Sequence, residues 1–303
     1  MSNLNNKLSV VNLSKINKRL DNHWQDDTSL DSSLMDSEQT GDTRSHHTLA
    51  ITQWQQNNLQ QLEDEVATEI PIAMSYNGVS HAVMMATPEH LEDFAVGFSL
   101  SEGIADSAED IYDVHIIHHL QGMEVAINLA SSCFNRLKHR RRQLVGRTGC
   151  GLCGVESLEQ AIRQVKPLTP QPLPAHNSVQ VGLKALTEHQ HLHTLTGAVH
   201  AAAWCNQAGE IQLVREDVGR HNALDKLLGA LATTAINITT GFVIVSSRAS
   251  YEMVHKACQL GVCTLVAASA PTYLAVRQAK YAGMNLIAFA RGNRHVIYNQ
   301  AHK

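Results

Sequence analysis

The stretch GFVIVSSRASYEMVHKACQLGVCTLVAASAPTYLAVRQAKYAGMNLIAFA, Gly241–Ala290, decides the fold. Three short apolar runs, Phe242–Val245, Cys263–Ala267 and Leu286–Ala290, are each too short for a helix and rich in β-branched residues. Between them lie two segments with helical spacing, Tyr251–Leu260 and Pro271–Ala282. Strand signals that alternate with helix signals predict an α/β layer built on a mostly parallel sheet. The last run leads into a closing loop. Upstream, Ala198–Cys205 and Glu210–Val214 read as strands joined by Asn206–Gly209. Ala223, Leu224, Leu227, Leu228 and Leu231 then form the apolar face of a helix over Asn222–Leu231.

Further upstream the pattern changes. Lys166–Ser178 holds four of the seven prolines and reads as a linker or long surface loop. Glu156–Val165 reads as a helix. Pro71–Ala86 reads as two strands around Asn77-Gly78, a dipeptide suited to a type I′ turn. Thr87-Pro88-Glu89 is expected to open a helix with Thr87 as its cap and Gly103 as its stop. A second strand pair, Val114–His118 and Met123–Leu129, turns at Gln121-Gly122. Met1–Asp42 is rich in Asn, Ser, Asp and Gln, and ordered structure is expected to start near Glu63–Ile70. The resulting division is a mobile tail at 1–45, an α+β region at 46–165, a Pro-rich connection at 166–178 and an α/β domain at 179–303.

Composition narrows the function classes. The 303 residues carry a net charge of −4, 44% hydrophobic and 17% charged residues, and six cysteines. That is a globular protein without the basic excess a bulk nucleic-acid binder needs. No run approaches the roughly 20 apolar residues of a membrane helix. The N-terminus has no apolar signal core, so a cytoplasmic protein with reduced thiols is expected.

Three constellations carry chemistry. Cys150 and Cys153 lie in Thr148-Gly149-Cys150-Gly151-Leu152-Cys153-Gly154, just after a basic run of Arg136, Lys138, Arg140, Arg141, Arg142 and Arg147. Glycines leave the sulfurs uncrowded, and neighbouring cations favour the reactive thiolate. Half of a zinc or iron–sulfur site and a redox disulfide are the alternatives. The other cysteines, Cys133, Cys205, Cys258 and Cys263, supply no second C-x-x-C. The second constellation runs from Arg215 to Lys226, REDVGRHNALDK. It reads either as solvated charge or as a buried polar network lining a pocket, with His221 as donor or proton relay. The third follows the three predicted parallel strands: Ser246–Ser250 with Arg248, Ser269-Ala270-Pro271, and Arg291-Gly292-Asn293-Arg294. Ligands of open α/β sheets bind outside the strands' carboxyl ends. Arginine forks and helix N-termini there suit a phosphorylated ligand of nucleotide type. The alternative is that Arg248, Arg291 and Arg294 pair with local carboxylates. His118-His119 and the run His189, His191, His193 read as solvated, and His200 as a packed residue or pocket wall.

Together, Arg147–Gly154, Thr196–Ala202, Arg215–Lys226, Ser247–Ser250 and Ser269–Pro271 closely resemble the formate dehydrogenase accessory sulfurtransferase family, FdhD. The similarity runs from about Ile70 to Tyr298. Ala198 and Ser247 stand where many members carry glycine. The resemblance implies a cytidine-deaminase-like α/β/α layer after a smaller α+β domain. It implies transfer of persulfide sulfur from a cysteine desulfurase to the bis(molybdopterin guanine dinucleotide) molybdenum cofactor of formate dehydrogenase. Cys150 then looks like the persulfide carrier and Cys153 its companion, whether it attacks, relays or only tunes the sulfur. Phe289, Ala290, Arg291, Gly292, Asn293 and Arg294 look like the cofactor contact, with Arg248, Ser269 and His221 beside them. No structural metal is expected, and a homodimer is allowed. Deaminase chemistry should be absent, because His200-Ala201-Ala202 lacks the glutamate of H-x-E. The rival readings are a non-catalytic chaperone for the nucleotide cofactor and a metal-binding redox module.

Overall fold

The computed structural model describes residues 43–145 and 165–301, with side chains from 140 to 145 excepted. The 1–42 tail, the Glu156–Val165 helix up to its last residue, and the Cys150–Cys153 segment lie outside the described residues.

Order begins earlier than expected. Strands β1 (His46–Gln55) and β2 (Asn58–Ala67) form an antiparallel hairpin around Gln56 and Asn57, both in the left-handed region at φ 50° and 68°. Its polar sequence hides it, because little of it is buried. Cross-strand side-chain bonds, Thr48 to Glu65 and Thr52 to Gln61, replace a buried face.

A four-stranded sheet follows, made of β3 (Ile70–Tyr76), β4 (Val79–Ala86), β5 (Ile111–His119) and β6 (Gly122–Leu129) in the order β4-β3-β6-β5. Asn77 and Gly78 turn at φ 48° and 77°, as the type I′ reading requires. Ile72, Met74 and Tyr76 alternate inward with Met123, Val125, Ile127 and Leu129, and all are buried beneath helix α1 (Leu91–Ser101). Gly103, at φ 64°, stops α1 as expected. Thr87 does not cap it. The cap is His90, and Thr87 is drawn away because its N–H and hydroxyl both donate to Asp217. Helix α2 (Ser131–Val145) follows β6.

The second half forms a six-stranded sheet: β7 (His200–Asn206), β8 (Ile211–Asp217), β9 (Gly241–Val245), β10 (Thr264–Ala267), β11 (Asn285–Arg291) and β12 (Arg294–Asn299). Their order is β12-β11-β10-β9-β7-β8. β9, β10 and β11 run parallel, as the alternation predicts. β7, β8 and β12 join antiparallel, so the sheet is mixed rather than mostly parallel. The expected closing loop is the tight β11–β12 turn followed by an edge strand.

Helices cover both faces of this sheet. Leu183 and the buried Val179 and Leu186, on α3 (His176–His189), pack on Ala203, Phe242, Ile244 and Ile287. The short α4 (His191–Thr196) follows. On the other face α5 (Arg220–Thr233), α6 (Tyr251–Gln259) and α7 (Tyr273–Ala282) pack on Trp204, Val243, Val245 and Leu265. Each such side chain taken from water contributes about 1.5–3 kcal/mol. α1 crosses α5 at two glycines. A Cβ on Gly97 would overlap the Asp225 carbonyl, and one on Gly229 would overlap that of Asp93. The Pro-rich segment runs without regular structure as far as Ala175 and is pinned at intervals, whereas His176–Ser178, read as part of the connection, already belong to α3. Leu168 N–H donates to Ala282, and Asn285 donates to the Gln171 carbonyl.

Candidate functional site

The strand directions gather the third constellation at one edge. β9, β10 and β11 all end there. Because Ala202 pairs with Val245 and His200 with Asp217, β7 starts and β8 ends there too. Backbone bonds lace the loops together: Ser269 N–H to Ser247, Thr272 N–H to Ala249, and Phe289 N–H to Ser269. Ser250 caps α6 by accepting from Met253 N–H. The helix expected to open after Ser269 starts at Tyr273, with Thr272 as cap. Ser269 is therefore exposed on the preceding loop, and its contribution is a carbonyl that accepts from Phe289.

A cavity of about 540 Å³ opens between α3 and this edge, lined by Asn177, Gln180, Lys184, Ser246, Arg291 and Asn293 among others. Ala290 and Gly292 also line it. A register shift between Ala288 and Arg291 bulges β11, and Phe289 takes φ 50°. A non-glycine residue at positive φ is costly and marks a built turn. The Phe289 ring lies 6.4 Å from that of Tyr298, and Phe289 is not part of the cavity lining. Arg248, Arg291 and Arg294 are exposed, and none pairs with a carboxylate among the described residues. The local-pairing alternative therefore finds no support there.

His221 lies apart from that cavity. Its Nε2 is 2.8 Å from the Glu252 carboxylate, which ties α5 to α6. Burial pulls its pKa below the usual histidine value, and Glu252 opposes that shift. His200 is half-buried, and burial together with Arg220 lowers its pKa.

The Arg215–Lys226 stretch is a buried polar network that grips the four-stranded half of the molecule, and its Glu216 also lines a cavity with His90, His189 and His191. Lys226 is fully buried with Nζ 2.7 Å from Asp217, and it also donates to the Thr87 hydroxyl at 2.8 Å. Asp217 further accepts from Gly219 N–H and the Asn222 amide. Asp225 accepts from Ser101 at 2.7 Å and Lys256 at 2.8 Å; burial raises its pKa, and Lys256 works against this. Arg215 reaches Asp93 on α1 at 2.7 Å, and Glu216 accepts from the first N–H groups of α4. Only tertiary pairing across some 130 residues of sequence gives this segment its meaning.

The remaining candidates are dispersed. Cys133, Cys205, Cys258 and Cys263 are buried free thiols. Burial pushes Cys205 and Cys258 up to about 12, far from thiolate chemistry at neutral pH. Cys133 approaches Asp106 and Asp110, but the Arg136 guanidinium already contacts Cys133 Sγ and Asp106. His189 and His193 donate to local backbone carbonyls, which is how helix-end histidines satisfy themselves. Sequence reading missed α3, one wall of the cavity. Its signal was Val179, Leu183 and Leu186 at helical spacing, hidden next to the prolines.

The FdhD/NarQ family profile matches residues 67–303. The protein named sulfur carrier protein FdhD in Cupriavidus necator is 53% identical over 253 residues, spanning 84% of this chain and 88% of that protein. Its namesake in Xanthomonas euvesicatoria is 51% identical, spanning 78% and 85%. A crystal structure of a protein named as a formate dehydrogenase accessory protein from Desulfotalea psychrophila superposes with a TM-score of 0.68 at 23% identity. It covers 84% of this chain and 97% of that one. That last likeness concerns the fold.

Proposed function

The chain belongs to the FdhD/NarQ family, and from that membership we propose that it is a cytoplasmic sulfurtransferase serving formate dehydrogenase. Cys150 thiolate attacks the outer sulfur of a cysteine desulfurase persulfide, so that sulfur moves to Cys150 and the desulfurase leaves as a thiolate. The acceptor is the bis(molybdopterin guanine dinucleotide) molybdenum cofactor, bound as substrate. Cys153 then attacks Cys150 Sγ, releasing sulfide and leaving a Cys150–Cys153 disulfide, or relays the sulfur, or only tunes the persulfide. A disulfide formed this way needs an external thiol reductant before the next cycle.

The observation that carries this reading is the 53% identity to a protein named as a sulfur carrier. Two features agree with it. The four other cysteines are buried, which leaves Cys150 and Cys153 as the chain's candidates for exchange. Arg291 on a cavity rich in amides, Arg294 in the same turn and Arg248 on the loop after β9, none paired with a carboxylate among the described residues, suit the phosphates and base of a guanine dinucleotide. Phe289 would act by shaping the turn, and Ser269 by holding it. We read the layers around the six-stranded sheet as cytidine-deaminase-like. No helix of the described residues is long and apolar enough to cross a membrane.

Incubation with a desulfurase and cysteine, followed by intact mass, tests the carrier. One added sulfur should survive Cys153→Ala and vanish in Cys150→Ala. If Cys150→Ala supports full formate dehydrogenase activity while Arg291→Ala and Arg294→Ala do not, the protein is a cofactor chaperone instead.

A further inference from the structure

A second cavity, about 380 Å³, opens where the start of α1 meets the junction of α3 and α4. Three imidazoles and two carboxylates line it, those of His90, His189, His191, Glu89 and Glu216. Sulfur transfer leaves these groups unused. Gln190 lies between His189 and His191 and is buried, so the kink from α3 to α4 leaves both histidines exposed. His189 Nδ1 lies 2.8 Å from the Ala185 carbonyl, which can only accept, so a neutral His189 carries its proton there. Its Nε2 keeps a lone pair, the arrangement of metal-bound histidines whose other nitrogen donates to a carbonyl. His90 stands at the start of α1 with φ 55° and caps nothing with its side chain. Its Nδ1 is 4.0 Å from Asp93, a carboxylate that Arg215 already holds at 2.7 Å. Positive φ outside glycine is costly, and at a cavity wall it points to a second use of the residue. His191 and Glu89 bond to nothing among the described residues. Glu216 is committed: its two oxygens accept from Leu192 and His193 N–H, which fixes α4 beside His191.

We propose that His90, His189, His191 and Glu89 bind a divalent cation of the zinc class, which staples the start of α1 to the α3–α4 junction. Imidazole nitrogen suits zinc, cobalt, nickel and copper, whereas magnesium and calcium take oxygen. Three imidazoles and one carboxylate fill a four-coordinate shell with no open position, the pattern of a structural ion. The donor atoms line the cavity without converging. Among the described residues the one triad within 4.8 Å is Asp106, Asp110 and Cys133, where the Arg136 guanidinium already supplies the charge. Exposed rings change rotamer within nanoseconds, so the cation gathers them, while Glu216 stays as the brace of α4. The site lies away from the 289–294 turn and is independent of the sulfur-carrier reading.

Cobalt(II) titration of the full chain carrying Cys150→Ser and Cys153→Ser tests this, because those thiols then cannot compete for the metal. Cobalt held by nitrogen and oxygen in a tetrahedron should give visible d–d bands that saturate at one ion per chain. Against that background His90→Asn, which tolerates the positive φ, and His191→Ala should each weaken cobalt binding about tenfold or more. His118→Ala, at an exposed strand end, should leave it within about twofold. Zinc at about a hundredfold above its Kd should raise Tm by roughly 5–10 °C, and His90→Asn should abolish the rise. Absence of the cobalt bands overturns the site. So does an affinity or a zinc-induced rise in Tm that His90→Asn and His191→Ala leave unchanged. Should one of these variants fail to fold, the other decides.

Discussion

Replacing Lys226 by methionine tests whether the buried network joins the two halves of the fold. Lys226 is fully buried, and Met fills nearly the same volume, so no large cavity forms. The loss is the cation opposite Asp217, itself without exposure. Removing one partner of a buried pair costs about 3–5 kcal/mol, because the other charge stays behind. Here Asp217 keeps donors from Thr87 N–H and hydroxyl, Gly219 N–H and the Asn222 amide. Those bonds solvate the carboxylate and place the expected cost near the lower end, about 3 kcal/mol. At about 2–4 °C per kcal/mol for a domain of this size, Tm should fall by roughly 6–12 °C. Urea denaturation followed by tryptophan fluorescence and circular dichroism gives the free energy. Asp217→Asn combined with Lys226→Met should cost clearly less than the sum of the single changes, because neither charge is then stranded. A loss under about 1 kcal/mol for Lys226→Met, or strict additivity in the double variant, would refute the reasoning.

Other expectations follow from the same geometry. His90, His200, His221 and His295 all have pKa values lowered from 6.5, chiefly by burial. Above 6.5 both states are neutral; as pH falls through 6.5 the unfolded chain takes protons that the folded one resists, so stability should drop. Tm should therefore be lower at pH 5.5 than at pH 7.5, and His200→Gln should reduce the difference; a higher Tm in acid would contradict the sign. Gly97→Ala and Gly229→Ala each drive a methyl into a backbone carbonyl across the α1–α5 crossing. Each should cost about 1–3 kcal/mol by overpacking, read as a shift in the urea midpoint. Arg291→Ala and Arg294→Ala remove exposed side chains that pair with no carboxylate among the described residues, so Tm should stay within about 1–2 °C, a surface-substitution effect, while formate dehydrogenase activation falls. A large Tm loss would make them structural.

The parts of the fold that could be read from sequence share one property: their local pattern alone specifies them. Phe242–Val245, Cys263–Ala267 and Leu286–Ala290 are continuous apolar runs because β9, β10 and β11 are covered on both faces. Asn77-Gly78 turns as read because its positive φ values suit those two residues. Elements that bury little escaped. The β1–β2 hairpin, whose Trp54 is 66% exposed, gives no apolar periodicity to find. β12 is an edge strand with Val296 and Ile297 facing outward, and it reads as loop. Thr87 was misread for a further reason. A Thr before Pro-Glu is a good local cap, but Asp217 and Lys226 outbid the helix for its hydrogen bonds.

For the site, residue types at the strand ends were enough to locate Arg248, Ser269 and the 289–294 turn, since parallel strands must end at one edge. Sequence alone therefore determined the α/β layer, the family and the strand edge that gathers Arg248, Ser269 and the 289–294 turn. Tertiary structure decided which groups share a cavity. It placed α3 and Gln180 opposite Asn293, drew His221 away to Glu252, and turned the charged Arg215–Lys226 segment into a clamp. Periodicity records which face of an element is dry. It carries no record of which distant partner satisfies a buried charge, because that pairing is made only when the chain closes.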